Sequence, residues 1–232
     1  MNKKEIKVLA VIPARGGSKG LIRKNILDLA GLPLIAWTIK AAKESQIISN
    51  VILSSDDDEI IEVAKRFDCE VPFKRPSHLA TDNATSVDVL AHAIKDYSSY
   101  DFVIMLQPTS PLRTSIDIDA AFELMTSLNA KSCVSVCQTS KTPYWMYSLS
   151  NDGVLEKLLP QDKEIVSRQA APKTFELNGA IYIIGLDHFQ ENQSLIPEKT
   201  VAYIMDRTVS IDIDCQSDLD KCETYLKKEN YD

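Results

Sequence analysis

The feature that most constrains this chain is the alternation, between residues 7 and 137, of short apolar runs with longer stretches of helical spacing. Residues 7–13 form an almost unbroken apolar run, as expected of a strand buried on both faces of a parallel sheet. Residues 34–44 put Ile35, Ile39 and Ala42 on one helical face. Residues 51–54 read as a strand. Residues 57–67 read as a helix whose acidic first turn suits the helix dipole. A helix over 87–97, a buried strand over 102–106, a helix over 117–128 and a strand over 133–137 continue the pattern. Parallel strands need crossover connections, and right-handed crossovers place helices on both faces. The expected fold is therefore α/β, with a mostly parallel sheet covered by helices on both sides.

The texture changes near residue 140. Prolines, tyrosines and the turn sequence Asn151-Asp152-Gly153 predict a protruding hairpin or arm inserted at about 140–177. The alternation then resumes, with strands expected at 180–184, 201–205 and 209–213 and helices at 187–191 and 219–228. The whole of 1–232 reads as one domain carrying that arm.

Charge and cysteine usage narrow the function. The chain has 26 Lys and Arg against 33 Asp and Glu, a net charge of −7, which argues against a general nucleic-acid or anionic-membrane binder. No apolar run approaches the roughly 18 residues of a membrane span. The five cysteines, Cys69, Cys133, Cys137, Cys215 and Cys222, form no CxxC pair and no metal-ligand spacing. Buried free thiols in a reducing compartment are expected, which points to the cytoplasm. His78 and His188 have no neighbours at ligand spacing, and His92 is expected to take a helix-packing or surface role rather than a catalytic one.

In doubly wound folds ligands bind beyond the carboxyl ends of the strands, so the segment after the first strand matters most. It reads IPARGGSKGLIRKN, residues 12–25. Gly16, Gly17 and Gly20 fit neither the dinucleotide fingerprint GxGxxG nor the P-loop pattern. Even so, Gly16 and Gly17 let backbone N–H groups approach an anion, and Ser18 adds a hydroxyl donor. Arg15, Lys19, Arg23 and Lys24 add cations in a chain that is acidic overall. Such a loop suits a triphosphate or a pyrophosphate. At the other end of the chain, Asp212 and Asp214 stand two apart on an extended segment, so both carboxylates share one face. Two hard oxygen donors with room for water and phosphate suit Mg²⁺ or Mn²⁺. Asp218 and Asp220 read as first-turn residues of the final helix.

The segment IPARGGSKGLIRKN resembles the N-terminal signature of the cytidylyltransferases that make CMP-activated nonulosonic acids, such as the CMP-sialic and CMP-legionaminic acid synthetases. RPSHLATD (75–82), LQPTSPLR (106–113), NGAIYI (178–183) and IDIDCQSDLD (211–220) fit the same family in the same order. The resemblance implies a Rossmann-like nucleotide-diphospho-sugar transferase fold. It also implies a reaction in which the anomeric hydroxyl of a nine-carbon 2-keto sugar acid attacks the α-phosphorus of CTP and pyrophosphate leaves. Catalysis would then rest mainly on positioning and electrostatic stabilisation.

Carried over by motif, Arg15, Ser18 and Lys19 would hold the CTP phosphates. Lys24 would be the key cation near the α-phosphate and leaving group, and Asn25 a nearby nucleotide contact. Arg75 and Ser86 would lie near the cytidine, although Ser86 also stands where it would cap the helix starting at Val87. Gln107, after the buried strand, would contact the sugar acid. Tyr182 suits a sugar pocket or the core equally. Lys141 and Arg168, in the arm, would reach a partner chain's sugar site, which makes a homodimer the expected state. The resemblance favours metal binding for Asp212 and Asp214. Arg113 reads as a structural tie for the PTSP turn. A Kdo-specific cytidylyltransferase is the alternative enzyme, and a non-catalytic nucleotide binder on the same fold the alternative class. No residue is assigned as a general base.

Overall fold

A computed structural model describes residues 5–159 and 167–229. In chain order the strands of the first half are β1 (Val8–Pro13), β2 (Asp28–Leu29), β3 (Leu32–Pro33), β4 (Asn50–Ser54) and β5 (Phe102–Met105). Those of the second half are β6 (Ser132–Gln138), β7 (Tyr147–Leu149), β8 (Leu155–Lys157), β9 (Phe175–Gly185) and β10 (Val201–Ile204). The helices are α1 (Leu34–Glu44), α2 (Asp58–Arg66), α3 (Ser86–Ala93), α4 (Ser115–Ser127), α5 (Leu186–Asn192) and α6 (Gln216–Glu229).

Six strands form the central sheet in the order β10-β6-β9-β5-β1-β4. β1 runs parallel to both β4 and β5, and β10 runs parallel to β6. β9 alone runs against its neighbours β5 and β6, so the sheet is mostly parallel, with one reversed strand near its middle. The apolar run of β1 is explained by its position, because alternate residues feed different cores. Val8, Ala10 and Ile12 pack with Ile35 and Ile39 of α1, Ile60 of α2 and Met125 of α4. Leu9 and Val11 pack on the other face with Leu90 of α3 and Phe189 of α5. Each such aliphatic side chain, fully buried, contributes roughly 1.5–3 kcal/mol. Helices therefore cover both faces, as the alternation predicts.

Local signals set the helix starts. Asp57 caps α2 by accepting from the N–H groups of Glu59 and Ile60, while Lys65 and Arg66 close its last turn. Thr85 with Asp88 opens α3, and Thr114 with Asp117 opens α4, each as a reciprocal capping box. The helix expected over 87–97 stops at Ala93, where Ile94 becomes its C-cap.

The strand expected over 209–213 does not form. A 3₁₀ turn, Arg207–Val209, interrupts it, and the following extended segment has no ladder partner. Its alternating Val209, Ile211 and Ile213 read as a strand because one face is indeed buried. That face packs on Leu29, Leu34, Leu112 and the α6 residues Leu219 and Leu226 rather than in the sheet. Four thiols are buried and free, and Cys215 is free but exposed, against the expectation for all five. Burial pushes the Cys69 and Cys222 thiols up to about 12 and Cys133 up to about 11.

β7 and β8 form the hairpin foreseen in the arm, turned at Gly153 with φ +79°. Every residue of the two strands is exposed, including Tyr147, Leu149 and Leu155. Among the described residues, no helix is long and apolar enough to cross a membrane.

Candidate active site

Beyond the carboxyl ends of β1 and β5 lies a cleft of about 430 Å³. Its walls gather Arg15, Ser18, Lys19, Lys24, Asn25, Arg75, Ser86, Gln107, Asp212 and Asp214 from four separate segments of the chain. Tyr182 and Lys141 are not among its lining. Tyr182 lies on β9 beside Met105 and Val134 and packs in the core with them, the second of the two places open to it. Burial, and then the nearby charge of Asp212, raises its hydroxyl pKa. Lys141 is exposed at the root of the arm. Arg168 opens a 3₁₀ turn, Arg168–Ala170, and its side chain lies outside the described residues.

The glycine loop is held at both ends. At its start, Gly16 N–H donates to Asp56 Oδ1 at 3.1 Å, and a Cβ on Gly16 would fall 2.6 Å from Asp57 Oδ2. At its end, Arg23 takes the left-handed conformation, φ 58°, and pairs with Glu59 and, at 3.4 Å, with Asp57. Asn25 is buried, and its Nδ2 donates to the Arg15 carbonyl at 3.0 Å, tying the loop's two limbs together. Asp56 and Asp57 escape sequence reasoning, and Arg23, read there as one of the loop's anion-binding cations, is instead paired with Asp57 and Glu59, because these contacts depend on β4 and α2 lying next to β1.

Lys24 is where the two chemically distinct segments meet. Its Nζ donates to the Ile213 carbonyl at 2.6 Å and to Asp214 Oδ1 at 2.9 Å. The side chain is only 13% exposed. Asp212 reaches the cleft mouth yet is partly withdrawn from bulk water, which raises its carboxyl pKa. The like charge of Asp214 adds to the rise, while Thr109 and Lys24 oppose it. Two carboxylates lining one cleft and leaving most of a coordination sphere to other ligands are chemically suited to a hard divalent cation. Among the described residues, no group of three or more His, Cys, Asp or Glu stands ready to hold a metal by itself.

The opposite wall belongs to 75–86. Arg75 is buried, with Nε donating to Ser54 Oγ at 3.0 Å and Nη2 to the Ser54 carbonyl. Burial lowers its guanidinium to about 10, against the raising influence of Asp56. Ser86 is the first residue of α3 and lines the cleft, while the cap itself is Thr85. Asp82 was missed. Its carboxylate pairs across the cleft with Arg15 at 2.9 Å and Lys19 at 2.7 Å, and these two contacts hold its pKa low. One acidic residue closing the RPSHLATD segment, opposite a basic loop, was the only signal for it. His92 does pack within the fold, edge-on to Phe73 with ring centres 4.8 Å apart.

A family model described as cytidylyltransferase matches residues 9–225, nearly the whole chain. The chain belongs to the cytidylyltransferase family. Cytidylyltransferases are nucleotidyltransferases, so this chain is one by membership. It is 39% identical to the CMP-N,N'-diacetyllegionaminic acid synthase of Legionella pneumophila, over 92% of this chain and 93% of that protein. It is 34% identical to the N-acylneuraminate cytidylyltransferase of Escherichia coli, over 97% of this chain but only 53% of that longer protein. Among solved structures, a CMP-2-keto-3-deoxy-manno-octonic acid synthetase complexed with CTP superposes with a TM-score of 0.72 at 19% identity. That superposition covers 96% of this chain and 99% of the other, and establishes the shared cytidylyltransferase fold.

Proposed function

We propose that this cytidylyltransferase transfers CMP from CTP to the anomeric hydroxyl of a nonulosonic acid, a nine-carbon 2-keto sugar acid, releasing pyrophosphate. The observation that carries the reading is the junction at Lys24. The loop's cation and the Asp212–Asp214 carboxylates converge on one cleft, although about 190 residues separate them. Relatives named as diacetyllegionaminate and N-acylneuraminate enzymes support the choice of acceptor.

In this reading the new bond joins the anomeric oxygen to the α-phosphorus as the bond to the β-phosphate breaks. The attacking hydroxyl gives up its proton. Arg15, Ser18 and Lys19 bind the phosphates, and Lys24 meets the charge that develops on the α-phosphoryl oxygens and leaving group. Arg75 and Ser86 face the cytidine, and Gln107 faces the sugar acid. Asp212 and Asp214 would hold Mg²⁺ or Mn²⁺, which when bound neutralises triphosphate charge.

We also infer a cytoplasmic homodimer. A second copy would cover the exposed Trp145, Met146, Tyr147, Leu149 and Leu155 of the arm and bring Lys141 and Arg168 to the partner's sugar site. Sedimentation tests this directly: replacing Leu149 and Leu155 together by Asp yields monomer, and an unchanged sedimentation coefficient refutes the arm's role.

The activity is tested by pyrophosphate release from CTP with Mg²⁺ across sialic, diacetyllegionaminic and pseudaminic acids and Kdo. Turnover with a nine-carbon acid is the expected result. Turnover with Kdo alone moves the chain to the eight-carbon acceptor, and silence on all four overturns the proposal.

A further inference from the structure

Gln107 stands just past β5, half-buried in the cleft wall. A glutamine side chain has enough rotamer freedom that holding one orientation is entropically costly, so an oriented amide needs a backstop. β9 supplies one. Gly179 has φ +72°, a left-handed conformation that favours glycine. A Cβ there would fall 2.6 Å from Gln107 Oε1 and 3.4 Å from Ser110 Oγ. The Gln107 amide therefore lies directly against the Gly179 α-carbon.

Two further bonds lock the turn carrying Gln107 to the same stretch of β9. Ser110 Oγ, fully buried, donates to the Asn178 carbonyl at 3.0 Å. Arg113 Nη1 donates to the Ala180 carbonyl at 3.2 Å and to the Gln107 carbonyl at 3.4 Å. The stretch is itself irregular. Val134 pairs with Tyr182 and Val136 with Leu177, so residues 178–181 of β9 stand opposite the single residue Ser135. Ser135 Oγ fills the gap, donating to Asn178 Oδ1 at 2.6 Å and accepting from Ile181 N–H at 2.8 Å. Bulges of this kind re-aim chain next to binding sites.

We propose that this β9 bulge is a positioning platform that fixes the Gln107 amide, with Gly179 setting the depth at which the acceptor sugar acid is read. Asn178, Gly179 and Ala180 touch no substrate; they act through Gln107 and the turn behind it. The inference rests on the reading that Gln107 contacts the sugar acid.

Steady-state kinetics on Gly179→Ala, Gln107→Ala and the double variant, varying CTP and sugar acid separately, test it. Gly179→Ala raises KM for the sugar acid about tenfold or more while KM for CTP stays within about twofold. In the double variant the clash with Gln107 Oε1 is gone, while the backbone strain at φ +72° and the contact with Ser110 Oγ remain. Gly179→Ala then adds less than its own loss of sugar-acid affinity to that of Gln107→Ala, a non-additivity that a general packing defect would not produce. Should Gly179→Ala fail to fold, Ser110→Ala removes one lock and shifts the same KM in the same direction by a smaller factor. If Gln107→Ala leaves the sugar-acid KM unchanged, the reading of Gln107 fails. If Gln107→Ala raises it while Gly179→Ala and Ser110→Ala do not, or the losses simply add, the platform is overturned.

Discussion

Gly20 offers a quantitative test of how the glycine loop is seated. A Cβ placed on it would fall 2.2 Å from the carbonyl oxygen of Asp214. Ordinary carbon–oxygen contact begins near 3.4 Å, so Gly20→Ala obliges the loop and the Asp214 segment to part by about 1.2 Å. Neither side yields cheaply. Asn25 and Arg23 anchor the loop, and Ile213 N–H donates to the Thr109 carbonyl at 2.8 Å. The separation acts on Lys24, whose 2.6 Å and 2.9 Å bonds cross the same gap. Misplacing a reacting group by about 1 Å costs on the order of 10²-fold, which at 1.36 kcal/mol per decade is about 2.7 kcal/mol of transition-state stabilisation. Pyrophosphate release at saturating CTP and sugar acid is therefore expected to fall about 100-fold in Gly20→Ala. Gly17→Ala is the internal comparison, because a Cβ there would meet nothing within 4 Å. It is expected to lose less than about tenfold, the rest of the chain being undisturbed. A folded Gly20→Ala protein turning over within about threefold of the parent would refute the close seating of loop against Asp214.

Three further outcomes follow from the same geometry. Lys24→Met removes a cation aimed at developing charge, and kcat is expected to fall about 10²–10³-fold; retention of most activity would show that Lys24 serves only to hold the Asp214 segment. Asp82→Asn frees Arg15 and Lys19 from a carboxylate that phosphate must otherwise displace, so KM for CTP falls a few-fold, and a rise would show instead that Asp82 preorganises the cations. Burial, and then the charge of Arg75, lowers the His92 pKa below 6.5. The unfolded chain therefore takes up a proton that the folded chain resists, and stability falls as pH drops below about 6.5. Thermal melting from pH 7.5 to 5.5 should show this loss in the parent and a shallower one in His92→Gln; parallel curves would exclude His92 as the source.

The sequence by itself determined the layered α/β architecture, because apolar periodicity records which faces are buried, and β1 is apolar on both faces since each faces a core. It also held the ten residues now found around one cleft: the loop's cations and hydroxyl and the paired aspartates through local chemistry, and Asn25, Arg75, Ser86 and Gln107 through their resemblance to family motifs. What it did not hold were facts that depend on pairing between distant segments. The reversal of β9 is one, since a buried strand looks the same in either direction. The failed strand at 209–213 is another, because alternation reports a buried face without naming the surface that covers it. The clasp of Asp82 on Arg15 and Lys19, the anchoring of the loop by Asp56 and Asp57, and the seat of Gly20 on Asp214 arise only when the sheet order sets their segments side by side. Periodicity and composition act over a few residues, whereas a site assembled across 190 positions is fixed by the tertiary contacts that close it.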